Sequence, residues 1–156
     1  MRKIIGGFSL ILIIAFVIIQ FFQPKKNKAA ANSNDLLNTN NVPENVASLL
    51  KESCYDCHSN NTRYLWYHKI APVSWMVDRH IRDGKQELNF SEWGTLDNYD
   101  QIISLDEITH EIRRKTMPLK SYRFMHPKAN LSDAQTQILE EWSKKQGEAL
   151  LINVIN

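Results

Sequence analysis

Cys54-Tyr55-Asp56-Cys57-His58 decides how the whole chain is read. The pentapeptide has the form Cys-x-x-Cys-His, the attachment pattern of a c-type haem, in which two thiols form thioethers to the porphyrin and the next imidazole ligates the iron. On a helical turn, residues three apart face the same way. Both sulfurs therefore reach one edge of the macrocycle while the histidine swings a nitrogen under the metal. Cys54 and Cys57 are the only cysteines, so nothing is left for a disulfide framework or a four-thiolate zinc site. A dithiol redox centre would call for a parallel sheet with βαβ periodicity, and no such strand pattern is present. Zinc is weaker still, because His68 and His80 are spaced too widely to form a second ligand pair.

Outward toward the amino terminus, Ile4 to Phe22 is an uncharged apolar run preceded by Arg2 and Lys3 and followed by Lys25, Lys26 and Lys28. It is long enough to span a bilayer. It also exceeds the apolar core of a signal peptide, and no small-x-small cleavage site follows it directly, so residues 1–23 are expected to form a retained transmembrane helix. Basic residues flank both ends and do not orient it. Haem attachment does, because thioethers are formed on the extracytoplasmic side: the expectation is a single-pass protein of the cell (inner) membrane with its haem domain in the periplasm. Residues 24–42, rich in lysine, alanine and asparagine, read as a flexible linker, and 43–156 as the haem-binding domain.

The formal charge is +2, but Arg2, Lys3, Lys25, Lys26 and Lys28 against Asp35 account for the excess, leaving the domain slightly acidic. A nucleic-acid partner would need a clustered basic face and finds none.

Outward toward the carboxyl terminus, the periodicity is helical throughout. Val46, Leu49 and Leu50 make one apolar stripe leading into the motif. Tyr64, Leu65, Trp66 and Tyr67 are an aromatic group suited to walling a flat apolar cofactor. Pro72 opens a helix with Val73, Met76, Val77, His80 and Ile81 in register, which Gly84 is expected to help end. Asn89 to Gly94 is a loop with two large aromatics. Ser104 and Glu107 have capping-box spacing and predict a helix start, with the helix reaching about Lys115. Met117-Pro118 presents a thioether from extended chain, since proline excludes the residue before it from helical geometry. Ser132 and Gln135 predict a closing helix with Ala134, Ile138, Leu139 and Trp142 inward and its end near Gly147.

These residues together resemble a class I cytochrome c: a helix running into Cys-x-x-Cys-His, a later Met-Pro, and a final amphipathic helix. More narrowly, the chain is similar to the small haem-binding domain family of membrane-anchored bacterial proteins, through Cys54 to His58, Pro72-Val73-Ser74-Trp75, Leu88 to Trp93, Met117-Pro118 and the Leu131-to-Trp142 helix. The resemblance implies an all-α, cytochrome c-like domain around one covalently attached haem c. Cys54 and Cys57 would hold the haem, with His58 as proximal and Met117 as distal iron ligand. It also suggests Pro72 as the carbonyl partner of the proximal imidazole. His80, His110, Met125 and His126 stay open as rivals to Met117.

The sixth ligand sets the class of function. With His58 and Met117 both bound, only an electron can pass, and the protein is an extracytoplasmic electron carrier serving redox protein partners, not an enzyme. With the distal position open, it would be a haem-based sensor or haem enzyme. Trp66, Trp75, Phe90 and Trp93 are expected to wall the ring, and Arg113, Arg114 and Lys115 offer either a docking patch or a solvated helix end. The haem, in place of a conventional apolar core, is expected to be the hub of the domain.

Overall fold

The computed structural model describes residues 2–30, 32–39 and 42–155, with side chains described for 5–30, 32–39 and 42–152. Ala31, Asn40 and Asn41, which belong to the expected linker, lie outside these. Among the described residues eight α-helices follow in order: α1 (Arg2–Ile19), α2 (Leu36–Thr39), α3 (Glu44–Ser53), α4 (Tyr55–His58), α5 (Val73–Glu87), α6 (Asn98–Arg113), α7 (Lys120–Met125) and α8 (Asp133–Ile155). Short 3-10 turns at Trp66–Lys69, Phe90–Thr95 and Pro127–Ala129 join them. Among the described residues there is no strand, only an isolated bridge between Lys28 and Asn61, so the all-α expectation holds.

The hub expectation does not. A conventional apolar core exists: Val46, Leu49 and Leu50 of α3 meet Leu105, Ile108 and Ile112 of α6 and Leu139 and Trp142 of α8, with Phe90 and Trp93 closing one side. The stripe spacing in α3 delivers this, since positions three and four apart share a helix face. Ile138 packs against the core as expected, whereas Ala134 is exposed.

Three expected boundaries move. The Ser104–Glu107 capping box is not formed. Helix α6 begins at Asn98, capped by the Asp97 side chain accepting from the Asp100 N–H at 2.8 Å, and runs unbroken through Ser104. Ser132 and Gln135 do form their reciprocal box, at 2.9 and 3.2 Å, but α8 continues past Gly147 to Ile155. Gly84 does not end α5 either. A Cβ there would stand 3.0 Å from the Cys57 carbonyl oxygen, so the glycine lets α5 lie directly against the attachment turn.

The amino-terminal segments also differ from expectation. Among the described residues no helix is long and apolar enough to cross a membrane, so the transmembrane helix expected over 1–23 is not found as such. Helix α1 nonetheless exposes apolar side chains all round, Ile5, Phe8, Ile11, Phe16 and Ile18 among them. The segment expected as a flexible linker is docked: Leu36 is completely buried, and the Asn27 amide donates to the Ser59 carbonyl and Thr62 Oγ1 at 2.8 and 2.9 Å. Polar side chains without an apolar run read as solvated chain; here they satisfy backbone groups of the motif's own loop.

Candidate haem site

A cavity of about 1100 Å³ opens between α4, α5, α6 and α7. Cys54, Cys57 and His58 are on its wall, as are Met117, His80, His110 and Met125. Pockets for cofactors run to about 300–1,000 Å³, so the space suits a large planar group. Most of the wall is apolar: Ile70, Val73, Met76, Val77 and Ile81 from α5 and its approach, Phe90 behind the motif, and Ile108 and Ile112 from α6.

His58 is fixed by a hydrogen bond to backbone. Its Nδ1 lies 3.1 Å from the Leu88 carbonyl oxygen, so Nδ1–H donates and the Nε2 lone pair is left free. Leu88 takes the part expected of Pro72, whose carbonyl instead accepts from the Trp75 and Met76 N–H groups at the start of α5. The proline could not do both, because helix initiation consumes its carbonyl. Burial lowers the His58 pKa, which keeps the imidazole neutral and able to ligate. The Phe90 ring sits 6.2 Å from the His58 ring and stacks on Tyr55 at 5.0 Å.

The two thiols are not primed as nucleophiles or as dithiol redox groups. Burial pushes Cys54 up to about 12 and Cys57 up to about 11, the reverse of the lowered pKa that a reactive dithiol requires. Among the described residues no group of three or more His, Cys, Asp or Glu is arranged to hold a metal ion. Ser53 Oγ, buried on the cavity wall beside Cys54, has no hydrogen-bond partner, an orphaned polar atom where a cofactor edge would lie.

Other expected residues fall elsewhere. Trp93 is in the apolar core, and Trp75 turns toward the amino-terminal segment, its Nε1–H donating to the Phe22 carbonyl at 2.6 Å; only Trp66 and Phe90 of the four aromatics line the cavity. His126 is off the wall, stacked on Tyr122 at 3.9 Å. Arg113 and Lys115 are paired with Glu140 and Asp133 at 2.8 and 3.2 Å. They tie the end of α6 to α8 instead of forming a free docking patch, and Lys115, at φ 56°, closes α6 in the left-handed region.

Sequence reasoning missed Asp56. Its buried carboxylate accepts from the Tyr122 hydroxyl at 2.8 Å and the Arg63 N–H at 2.9 Å, and Arg63 Nη2 lies 3.5 Å away. This anchors α7 to the attachment turn, and burial first, then Asp56, raises the Tyr122 pKa so that the phenol keeps its proton. Nothing in the spacing of Asp56 and Tyr122, far apart in sequence, signals the pair. With two thiols and a free imidazole nitrogen on one wall of an apolar cavity of this size, the residues fit a haem.

No curated protein and no solved structure gives a match. The model of the haem-binding domain family matches residues 14–145, a span that contains the cavity, the motif and the core, and the chain therefore belongs to the haem-binding domain family.

Proposed function

We propose that the protein is a monohaem c-type cytochrome that carries electrons outside the cytoplasm while tethered to a membrane. The observation that carries this reading is the placement of Cys54, Cys57 and His58 on one wall of a cavity that also includes Met117. The two thiols would hold the haem as thioethers and His58 would ligate its iron, with Nδ1 fixed by Leu88. Met117, half-buried and presented by a turn in which its N–H and that of Thr116 both point at the Glu111 carbonyl, would fill the distal position. The haem supplies a one-electron centre. The chain's own part would be to offer His58 and Met117 to the iron, exclude water with Phe90 and the α5 and α6 aliphatics, and leave the group within reach of a redox protein partner.

The exposed apolar surface of α1 supports the tether, followed as it is by Lys25, Lys26 and Lys28. Gln20 and Ala71 exchange two hydrogen bonds, at 2.9 and 3.1 Å, so the helix would meet the domain at a fixed point and not through loose chain. A periplasmic domain on the inner membrane follows from where thioethers are made.

The test is the optical spectrum of the purified holoprotein beside that of Met117→Ala. A low-spin spectrum with a methionine-to-iron charge-transfer band, lost in the variant, is expected. A reduced wild-type protein that binds carbon monoxide readily, with no such band, would overturn the carrier reading in favour of an open-site haem protein. Resistance of the membrane-bound protein to carbonate extraction tests the tether separately.

A further inference from the structure

We infer that His68 is a propionate anchor, its Nε2–H donating to one of the two haem carboxylates. This rests on the haem reading above and goes beyond it by assigning the cofactor's polar edge. The cavity wall carries Asp56, Asp83, Glu87, Glu107 and Glu111 but, among the described residues, no lysine or arginine. A carboxylate brought against such a wall has no cation to pair with, and burying it without hydrogen bonds is costly. Neutral donors must serve it.

Counting those donors leaves one that is buried and uncommitted. The Tyr122 hydroxyl is given to Asp56 Oδ2, and Thr62 Oγ1 donates to the Asp56 carbonyl at 2.6 Å. The Tyr67 hydroxyl is 3.2 Å from His126 Nε2. His126 donates its Nδ1–H to the Tyr122 carbonyl at 3.1 Å, so its Nε2 must accept and Tyr67 must donate there. Ser53 Oγ is free but adjoins Cys54, and the thioethers and the propionates occupy opposite edges of the porphyrin. Trp66, His110 and Ser121 are exposed and His80 is only half-buried, where water can replace them.

His68 is different. It is 8% exposed and lines the cavity. The Leu65 N–H donates to its Nδ1 at 3.0 Å, which forces the proton of the neutral ring onto Nε2. The same hydrogen bond bars His68 from the iron, since a ligating Nε2 needs its lone pair and would leave two N–H groups facing each other at Nδ1. The ring is clamped edge-on by Tyr67 at 4.2 Å and Tyr64 at 5.7 Å, so a single directed donor is presented without a rotamer cost at binding.

The experiment labels the propionates alone, by maturing the full chain in cells fed 5-aminolevulinate with ¹³C at its carboxyl, and reads redox-difference infrared spectra of the holoprotein. Wild type should show two distinct ¹³C-carboxylate bands. His68→Leu should shift one of them, His68→Gln, which keeps a donor near the Nε2 position, should restore it, and Tyr99→Leu, at an exposed position away from the cavity, should leave both in place. An unmoved band in His68→Leu, or the same shift in Tyr99→Leu, would overturn the assignment. Because the leucine variant risks poor maturation, dipolar recoupling on the wild type gives an independent answer. Strong dephasing between ¹³C-carboxyl and His68 ¹⁵Nε2 is expected at about 4 Å, the separation a hydrogen bond imposes, and absence of dephasing refutes the contact. A polypeptide that emerges with no covalent haem would instead defeat the haem-attachment reading, a separate failure.

Discussion

Replacing Gly84 with alanine sets two effects of opposite sign against each other, and the structure decides between them. In a helix interior Gly→Ala is worth about 1 kcal/mol in favour of folding. At position 84, however, the new methyl would meet the Cys57 carbonyl oxygen at 3.0 Å and the Cys57 carbonyl carbon and Cβ at 3.3 Å. Two of these three are backbone atoms of the attachment turn, which cannot rotate away as a side-chain tip would. Overpacking of this kind costs about 1–3 kcal/mol, so Gly84→Ala should be destabilising by about 0–2 kcal/mol net. Gly147, inside α8 with nothing within 4 Å of its would-be Cβ, is the internal control. Gly147→Ala should gain the full helical increment of about 1 kcal/mol, a rise of roughly 2–4 °C in Tm for a chain of this size. The assay is thermal unfolding of the haem-free protein by circular dichroism, together with haem per polypeptide after maturation. Gly84→Ala should lower both relative to Gly147→Ala, because the strain falls on the residue carrying a thiol. If Gly84→Ala stabilises as much as Gly147→Ala and loads haem normally, the close packing of α5 on the motif is wrong.

Truncating Leu36 to alanine should cost about 2–5 kcal/mol, since that side chain is completely buried against the core; denaturant unfolding checks it, and a loss under 0.5 kcal/mol would return 24–42 to the status of a loose linker. Before haem attachment, stability should fall as pH drops. Burial holds the pKa values of His58 and His68 below the usual imidazole value, so the unfolded chain takes up protons first, and stability present above about pH 6.5 is lost as pH falls toward the folded values at up to about 1.4 kcal/mol per pH unit per histidine. Urea midpoints from pH 7.5 to 5 measure the slope, and His68→Gln should remove its His68 component.

The sequence disclosed helices and a haem-binding domain better than it disclosed their arrangement. The stripe Val46, Leu49, Leu50 and the pair Leu139, Trp142 are legible because a 3.6-residue period marks a buried face whatever it packs on. The Cys54-to-His58 segment does form one turn lining the cavity, as residues three apart on a helix allow. Neither Leu88 as partner of His58 nor Asp56 as partner of Tyr122 is legible, for both contacts join segments remote in sequence through a backbone carbonyl or a single carboxylate. The capping-box spacing at Ser104 misled because Asp97 already caps the helix seven residues earlier, which leaves Ser104 an interior position with no free N–H groups to cap. Gly84 misled for a related reason: glycine can mark a helix end or a close approach, and only the neighbour's position tells which.

Core and cavity divide the molecule into parts of unequal durability. A cavity of about 1100 Å³ lined mostly by apolar side chains leaves those walls without packing partners, in a domain held together by only about 5–15 kcal/mol. The space must therefore be filled by haem, flooded, or closed by movement of its walls. Those walls differ in what else holds them. Helix α6 is shared with the core, where Leu105, Ile108 and Ile112 meet α3 and α8. Helix α7 buries no residue of its own, and its main tether is the Tyr122 hydroxyl on Asp56 and the Glu52 carbonyl. Without haem, α7 and the Met117 turn should open first. Hydrogen exchange on the haem-free protein should then show strong protection at 105–112 and 139–142 and little at 120–125, with protection of 120–125 recovered on haem attachment. Equal protection of both segments in the haem-free protein would mean that the cavity closes without the cofactor, and that the core alone organises the whole domain.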